Sequence, residues 1–120
     1  MMLIQILKPD FEFKDERGEL VQLVHDGYKQ FNVVTSCGGV LRGDHYHKLN
    51  NEVFFVISGS FELKASLGEE EETYVFKKGD MFLVPPWVVH SFNYIEDSVV
   101  VALYDKGVEM PEGSKDIFSR

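Results

Sequence analysis

Apolar and polar residues alternate along nearly the whole chain with a period of two, the repeat of strands that bury one face. Segments rich in Val, Ile, Phe and Tyr are broken by Gly, Asn, Asp or Pro at short, regular intervals. The rhythm predicts strands over residues 3–8, 19–25, 30–36, 40–47, 52–58, 60–67, 73–77, 81–84, 90–94 and 98–104. Short strands at this spacing imply an all-β sandwich or barrel. Gly59 falls between two runs and Lys78-Gly79-Asp80 between two others, each marking a tight turn. No segment carries a helical period; the nearest, 111–118, is short and holds a glycine. Without repeats or linkers, residues 1–120 read as one domain.

Side-chain parity sharpens this picture. In Glu52-Val-Phe-Phe-Val-Ile-Ser58, Glu52 shares a face with Phe54, Val56 and Ser58, and the other face is apolar too. A strand of this kind is expected to be buried on both sides. A carboxylate placed there needs a positive partner. In His90-Ser-Phe-Asn-Tyr94, the histidine shares its face with Phe92 and Tyr94, a polar centre ringed by aromatics. Pro85 and Pro86 have no N–H for a ladder and should end the preceding strand just before His90.

Composition narrows the function classes. An apolar fraction of 44% with 13% aromatics fits a folded domain. A net charge of -8 argues against nucleic acid and anionic membrane as partners. The run Glu69–Glu72 reads as a solvated loop between two strands. Cys37, the single cysteine, permits no intrachain disulfide, in keeping with a reducing cytoplasm. The apolar start Met1-Met-Leu-Ile-Gln-Ile-Leu7 is too short for a leader or a membrane span, so a cytoplasmic location is expected.

The candidate chemistry lies in two stretches. The first runs Gly39-x5-His45-x-His47-x4-Glu52-x6-Gly59, and the second Gly79-x5-Pro85-x-Trp87-x2-His90-x2-Asn93. His45 and His47, two apart, project from one face of one strand, where Glu52 and His90 can join them. Three imidazoles and a carboxylate are a ligand set for a divalent transition metal: Fe, Mn, Ni, Co, Cu or Zn. An octahedral ion so held would keep two positions open.

These paired motifs resemble those of the cupin superfamily, which implies a single jelly-roll β-barrel with the pocket inside. The second motif departs from the pattern: Trp87 stands where glycine is usual, and Asn93 follows His90 by three positions rather than four. Trp87 is therefore expected at the rim of the pocket. Upstream, Phe13-Lys-Asp15-Glu-Arg17-Gly18-Glu19, then Gln30–Ser36, then Leu41-Arg42-Gly43-Asp-His45-Tyr46 resemble the entry segment of the dTDP-4-dehydrorhamnose 3,5-epimerases. With the tail Tyr104-Asp105…Pro111…Asp116-Ile-Phe118, they are similar also to the C-terminal cupin domain of capsular-polysaccharide UDP-sugar enzymes. Arg42-Gly-Asp-His-Tyr-His-Lys48 resembles a run in sugar 3,4-ketoisomerases.

The resemblance implies proton transfer next to the keto group of a dTDP- or UDP-4-keto-6-deoxyhexose. His45 matches the base of the epimerases, and Tyr46, Tyr94 and Tyr104 are candidate acids. Arg17, Arg42 and Lys48 are candidate diphosphate ligands, with Trp87 and Phe92 as further substrate contacts. Two readings of His45 compete, because a lone pair committed to a metal cannot take a proton. Three classes follow: a nucleotide-sugar epimerase or isomerase, a metal-dependent dioxygenase or other small-molecule metalloenzyme, and a non-catalytic sugar- or metal-binding module. Residues 3–8, read as an unpaired edge strand, are expected to add to a partner's sheet in a homodimer.

Overall fold

The alternating segments form twelve strands, and the computed structural model describes residues 2–120. The strands are β1 (Gln5–Leu7), β2 (Phe11–Asp15), β3 (Gly18–Gln22), β4 (Gln30–Ser36), β5 (Leu41–Tyr46) and β6 (Glu52–Ser58). They continue as β7 (Ser60–Leu67), β8 (Glu70–Lys77), β9 (Met81–Val84), β10 (Val89–Tyr94), β11 (Ser98–Tyr104) and β12 (Phe118–Ser119). Two five-stranded antiparallel sheets, ordered β1-β9-β6-β11-β4 and β12-β5-β10-β7-β8, face each other as a jelly roll. A separate hairpin, β2-β3, stands beside them. The described residues contain no helix, and hence none long and apolar enough to cross a membrane.

The core lies between the two sheets because inward positions alternate with outward ones. Phe61, Leu63 and Ala65 of β7, Phe92 and Tyr94 of β10, Phe54 and Val56 of β6, and Val100 and Ala102 of β11 form one buried cluster. Burying each large apolar side chain contributes about 1.5–3 kcal/mol. At one end aromatics fill the space alone: Phe76 stacks on Phe82 with centroids 4.1 Å apart. Outside the first sheet, Leu23, Val24 and Tyr28 cover Val53, Met81 and Leu103. That cover stops short of the end of β6, where Ile57 is exposed, so the strand is not buried on both faces throughout.

Three expectations need correction. The segment read as an unpaired N-terminal strand shortens to β1 and pairs with β9 of its own sheet, Ile6 opposite Phe82. The glutamate run is mostly strand: Glu70, Glu71 and Glu72 pair with Leu67, Ser66 and Ala65. An edge strand with one face in water accommodates them, and Glu72 accepts the Leu3 N–H at 2.7 Å. Strands β2 and β12 were not anticipated; β2 buries neither Phe11 nor Phe13 in this chain, and β12 has only two residues.

Candidate active site

Strand β5 regularly alternates only in its second half. The register with β10 pairs His90 with His45 and then jumps, Ser91 opposing Gly43 and Phe92 opposing Arg42. Gly43 and Asp44 both adopt positive φ, 93° and 61°, and form a bulge. A Cβ on Gly43 would lie 2.8 Å from the His90 carbonyl oxygen, so the close approach requires glycine. Three residues apart in a regular strand, Arg42 and His45 would face opposite ways. The bulge restores them to one side, and both line a cavity of about 130 Å³ between the sheets.

His45, His47, Glu52 and His90 converge behind that cavity, with ligand atoms all within 4.8 Å of one another. His47 Nε2 lies 2.9 Å from Glu52 Oε1. His90 Nε2 lies 3.3 Å from the same oxygen, yet it is buried and has no hydrogen-bond partner among the described residues. The remaining ring nitrogens are anchored from outside the group. His47 Nδ1 donates to the Asp116 carbonyl at 2.6 Å, and His90 Nδ1 to the Val88 carbonyl at 3.0 Å. Each anchor turns an Nε2 toward the common point, the orientation that metal-binding histidines require.

Electrostatics separates the members. Burial lowers His45 to about 4, and neighbouring His90 adds to the effect. Burial also opposes charge on His47, but the Glu52 carboxylate outweighs it and raises the imidazole above its ordinary value. Burial pushes Glu52 up, and the His47 and His90 rings overcome that to hold it at about 2. His47 thus sits between two acceptors, the Glu52 carboxylate and the Asp116 carbonyl. A proton or a divalent cation on Nε2 resolves the clash of lone pairs. The orphaned His90 nitrogen and this acceptor pair fit a metal ion.

The other expected residues divide into two groups. Arg42, Phe92, Tyr94 and Tyr104 line the cavity with His45 and Glu52. Arg42 Nη1 donates to the Thr35 carbonyl at 3.0 Å and to Ser36 Oγ at 3.1 Å, leaving the rest of the guanidinium free at the mouth. Burial raises Tyr94, and burial with the Glu52 charge raises Tyr104, so both phenols are protonated at neutral pH. Arg17, Lys48, Trp87 and Tyr46 lie elsewhere. Arg17 is on the β2-β3 hairpin, 78% exposed and paired with Asp15 at 2.6 Å. Tyr46 and Lys48 alternate with His45 and His47 and so point outward. Tyr46 stacks between Trp87 and Phe118, and Lys48 Nζ sits 4.2 Å from the Phe118 centroid. Trp87, at φ 73°, occupies the left-handed conformation that explains why glycine is usual there, and it does not line the cavity.

Asp116, which the sequence offered only as part of a tail motif, and Asn50 were not expected at the site. Asn50 is buried and donates to Asp116 at 2.8 Å, across a separation only the fold closes.

The jelly roll is shared with solved structures. The sugar 3,4-ketoisomerase QdtA from Thermoanaerobacterium thermosaccharolyticum, in complex with TDP, superposes with a TM-score of 0.81 at 18% identity, covering 98% of this chain and 88% of that chain. For dTDP-4-dehydrorhamnose 3,5-epimerase from Sulfolobus tokodaii the TM-score is 0.78 at 24% identity, with 94% and 76% covered. These likenesses show a cupin-type fold. The chain is also 33% identical over 87 residues to 3-hydroxyanthranilate 3,4-dioxygenase of Burkholderia cenocepacia, which is 72% of this chain and 48% of that protein. It thus spans about half the length of this curated relative. The family described as "Polysaccharide biosynthesis C-terminal domain" matches residues 13–114, and the chain belongs to that family.

Proposed function

We propose that this barrel is a nucleotide-sugar isomerase or epimerase, moving a proton next to the keto group of a dTDP- or UDP-4-keto-6-deoxyhexose. The observation that carries this reading is the Gly43-Asp44 bulge, which opens a guanidinium and an imidazole into one cavity. The cavity, about 130 Å³, is smaller than sites that enclose drug-sized ligands. It takes the reacting part of the sugar and leaves the nucleotide outside. Arg42 stands at the junction with an outer depression, placed to bind the diphosphate through its free N–H groups. Neighbours of the same fold act on nucleotide sugars, which supports a substrate of that class.

His45 is the base in this reading. It is neutral at pH 7 and faces the cavity, whereas His47 and His90 do not line it. Its lone pair takes the proton α to the carbonyl, and Tyr94 or Tyr104 returns one from its phenol. Phe92 forms an apolar wall for the sugar ring. His47, Glu52 and His90, with His45 completing the set in the absence of substrate, would hold a divalent metal ion. Such an ion supplies Lewis-acid stabilisation of charge developing on the carbonyl oxygen.

A second reading, a small-molecule metalloenzyme such as a dioxygenase, draws on the four converging ligands and the likeness to the Burkholderia enzyme. Proton exchange at C3 of a dTDP- or UDP-4-keto-6-deoxyhexose in deuterated water separates the two. Exchange that falls about 10²–10⁴-fold in His45→Ala supports the base. No exchange with either nucleotide sugar defeats the isomerase reading and leaves the metalloenzyme.

We propose a homodimer as the working state, through β4 rather than β1. Strand β4 ends its sheet and exposes Phe31 (60%) and Val33 (69%). Phe11, Phe13 and Leu20 of the hairpin are exposed too, apolar surface that a second copy can cover. Only in such an assembly would the hairpin bring Arg17 toward a substrate. Sedimentation showing a monomer at micromolar concentration would refute the dimer.

A further inference from the structure

Residues 118–120 return to the strand that carries two of the site histidines. Phe118 pairs with Tyr46 and Ser119 with His45, so β5 is the partner of β12 among the described residues. Arg120 closes on Asp44, its N–H donating to the Asp44 carbonyl at 3.2 Å and its guanidinium pairing at 2.8 Å. Stacking of Phe118 on Tyr46 adds side-chain packing to the same contact.

Asp116 is the buried centre of this segment, 3% exposed. Its Oδ1 accepts the Lys48 N–H at 2.8 Å. Its Oδ2 accepts the N–H groups of Leu49 and Asn50 at 3.0 Å and the Asn50 amide at 2.8 Å. Three consecutive backbone N–H groups therefore converge on one carboxylate, and these residues are the connection from His47 to Glu52. The Asp116 N–H donates to the Val108 carbonyl at 2.8 Å, which fixes the backbone on its other side. The Asp116 carbonyl is thereby aimed at His47 Nδ1, 2.6 Å away.

A carboxylate that only closed a loop would need the N–H bonds and nothing more. Asp116 combines them with the bond that orients a site imidazole. We infer that residues 115–120 form a latch that sets the geometry of the histidine cluster, with Asp116 as the positioning residue for His47. Its effect on metal binding rests on the reading of His47, Glu52 and His90 as ligands; its effect on the imidazole does not. Side chain and carbonyl act together: anchoring the carboxylate holds the carbonyl, which keeps a proton on Nδ1 and turns Nε2 toward the common point.

The experiment uses full-length ¹⁵N-labelled protein, metal-free and then with cobalt(II), as wild type, Asp116→Asn, Asp116→Ala and Phe118→Ala. Asparagine preserves size but presents a donor to the N–H groups, and it serves if the alanine variant does not fold. Long-range ¹H–¹⁵N spectra read the His47 Nδ1–H bond directly, as a ring proton protected from solvent exchange by the Asp116 carbonyl. Wild type should show that protected proton, the Asp116 variants should lose the protection, and Phe118→Ala should weaken it. Cobalt affinity should fall about 10- to 100-fold in the Asp116 variants, with altered visible bands. Asp116 variants that melt earlier but keep the wild-type Nδ1–H protection, cobalt affinity and spectrum would reduce the segment to a structural tie and overturn the inference. Loss of Nδ1–H protection in the Asp116 variants of a protein that binds no cobalt even as wild type would sustain the positioning role and refute the metal reading.

Discussion

The same strands build two unlike interiors. Strand β6 passes from Glu52 through Phe54 to Val56, and β10 from His90 through Phe92 to Tyr94, each leaving a polar end for an aromatic one. At the aromatic end, Phe61, Phe76 and Phe82 touch one another, and packing alone satisfies these side chains. At the histidine end, packing cannot suffice, because each buried nitrogen and oxygen needs a partner of matching polarity. Those partners come from outside the strands: the Val88 carbonyl beside the Pro85-Pro86 turn and the Asp116 carbonyl of the returning segment. One end is stabilised by what the alternating pattern itself provides. The other borrows from distant chain, and it leaves His90 Nε2 without a partner.

Paired substitutions give the sharpest way to break this comparison. Phe82→Ala at the aromatic end should cost about 3–5 kcal/mol in urea unfolding and leave zinc affinity of the folded protein within threefold or so of wild type. Glu52→Gln should lower zinc affinity more than about 100-fold, exceeding what loss of an outer hydrogen-bond partner does. Its stability loss should be the smaller of the two, since glutamine preserves volume. Equal losses of stability and affinity in both variants would show that the two ends are not separable. Gly43→Ala comes next. The forced contact with the His90 carbonyl and the positive φ should cost about 1–3 kcal/mol. Proton exchange should slow further than stability alone explains, because the bulge aligns Arg42 with His45.

The difference between the ends also decides what was legible in the sequence. Strands β4, β6, β7, β9 and β11 coincide with the expected spans, because each alternates against the core and ends at a turn residue. The convergence of His45, His47, Glu52 and His90 was legible through their spacing, since His45 and His47 share a face by strand geometry. Arg42 was legible only by resemblance; a regular strand would turn it away, and the bulge that brings it back depends on pairing with β10. Lys48 and Trp87 were expected near substrate, but parity sends Lys48 outward and Trp87 follows Tyr46. Asp116 was legible only as part of the tail resemblance, with no role at the site, because its partners Lys48, Leu49 and Asn50 lie 66 to 68 positions away.

Acid and alkali should both weaken the histidine end, through different residues, measured as the urea midpoint of the metal-free protein against pH. His45 is lowered from 6.5 to about 4 by burial, so the fold favours its neutral form, and that stability is lost as pH falls from 6.5 toward 4. His47 is raised above 6.5 by Glu52 against the cost of burial, so its contribution is present below 6.5 and lost as pH rises through the folded value. Glu52, held at about 2, adds to the acid loss below its ordinary value of 4.5. The midpoint should therefore peak near pH 6.5. His45→Gln should flatten the acid limb above pH 4.5, and His47→Gln the alkaline one. A midpoint that rises steadily from pH 5 to 9 would contradict the assigned directions.

Trp87→Gly should have the smallest effect, and it tests whether the outer aromatic group belongs to the site. Two terms oppose each other. Relief of the left-handed backbone at φ 73° contributes about 1–2 kcal/mol. Loss of stacking on Tyr46 costs about 0.5–1.5 kcal/mol, with a further small cost for the Lys48 contact. The Trp87 N–H bond to the His47 carbonyl, 2.7 Å, is made by backbone and survives the change. Net stability should stay within about 1 kcal/mol of wild type, with zinc affinity and proton exchange unaltered. Loss of nucleotide-sugar exchange in Trp87→Gly without loss of stability would place the tryptophan in substrate binding and move the mouth of the site to the outer face of β5.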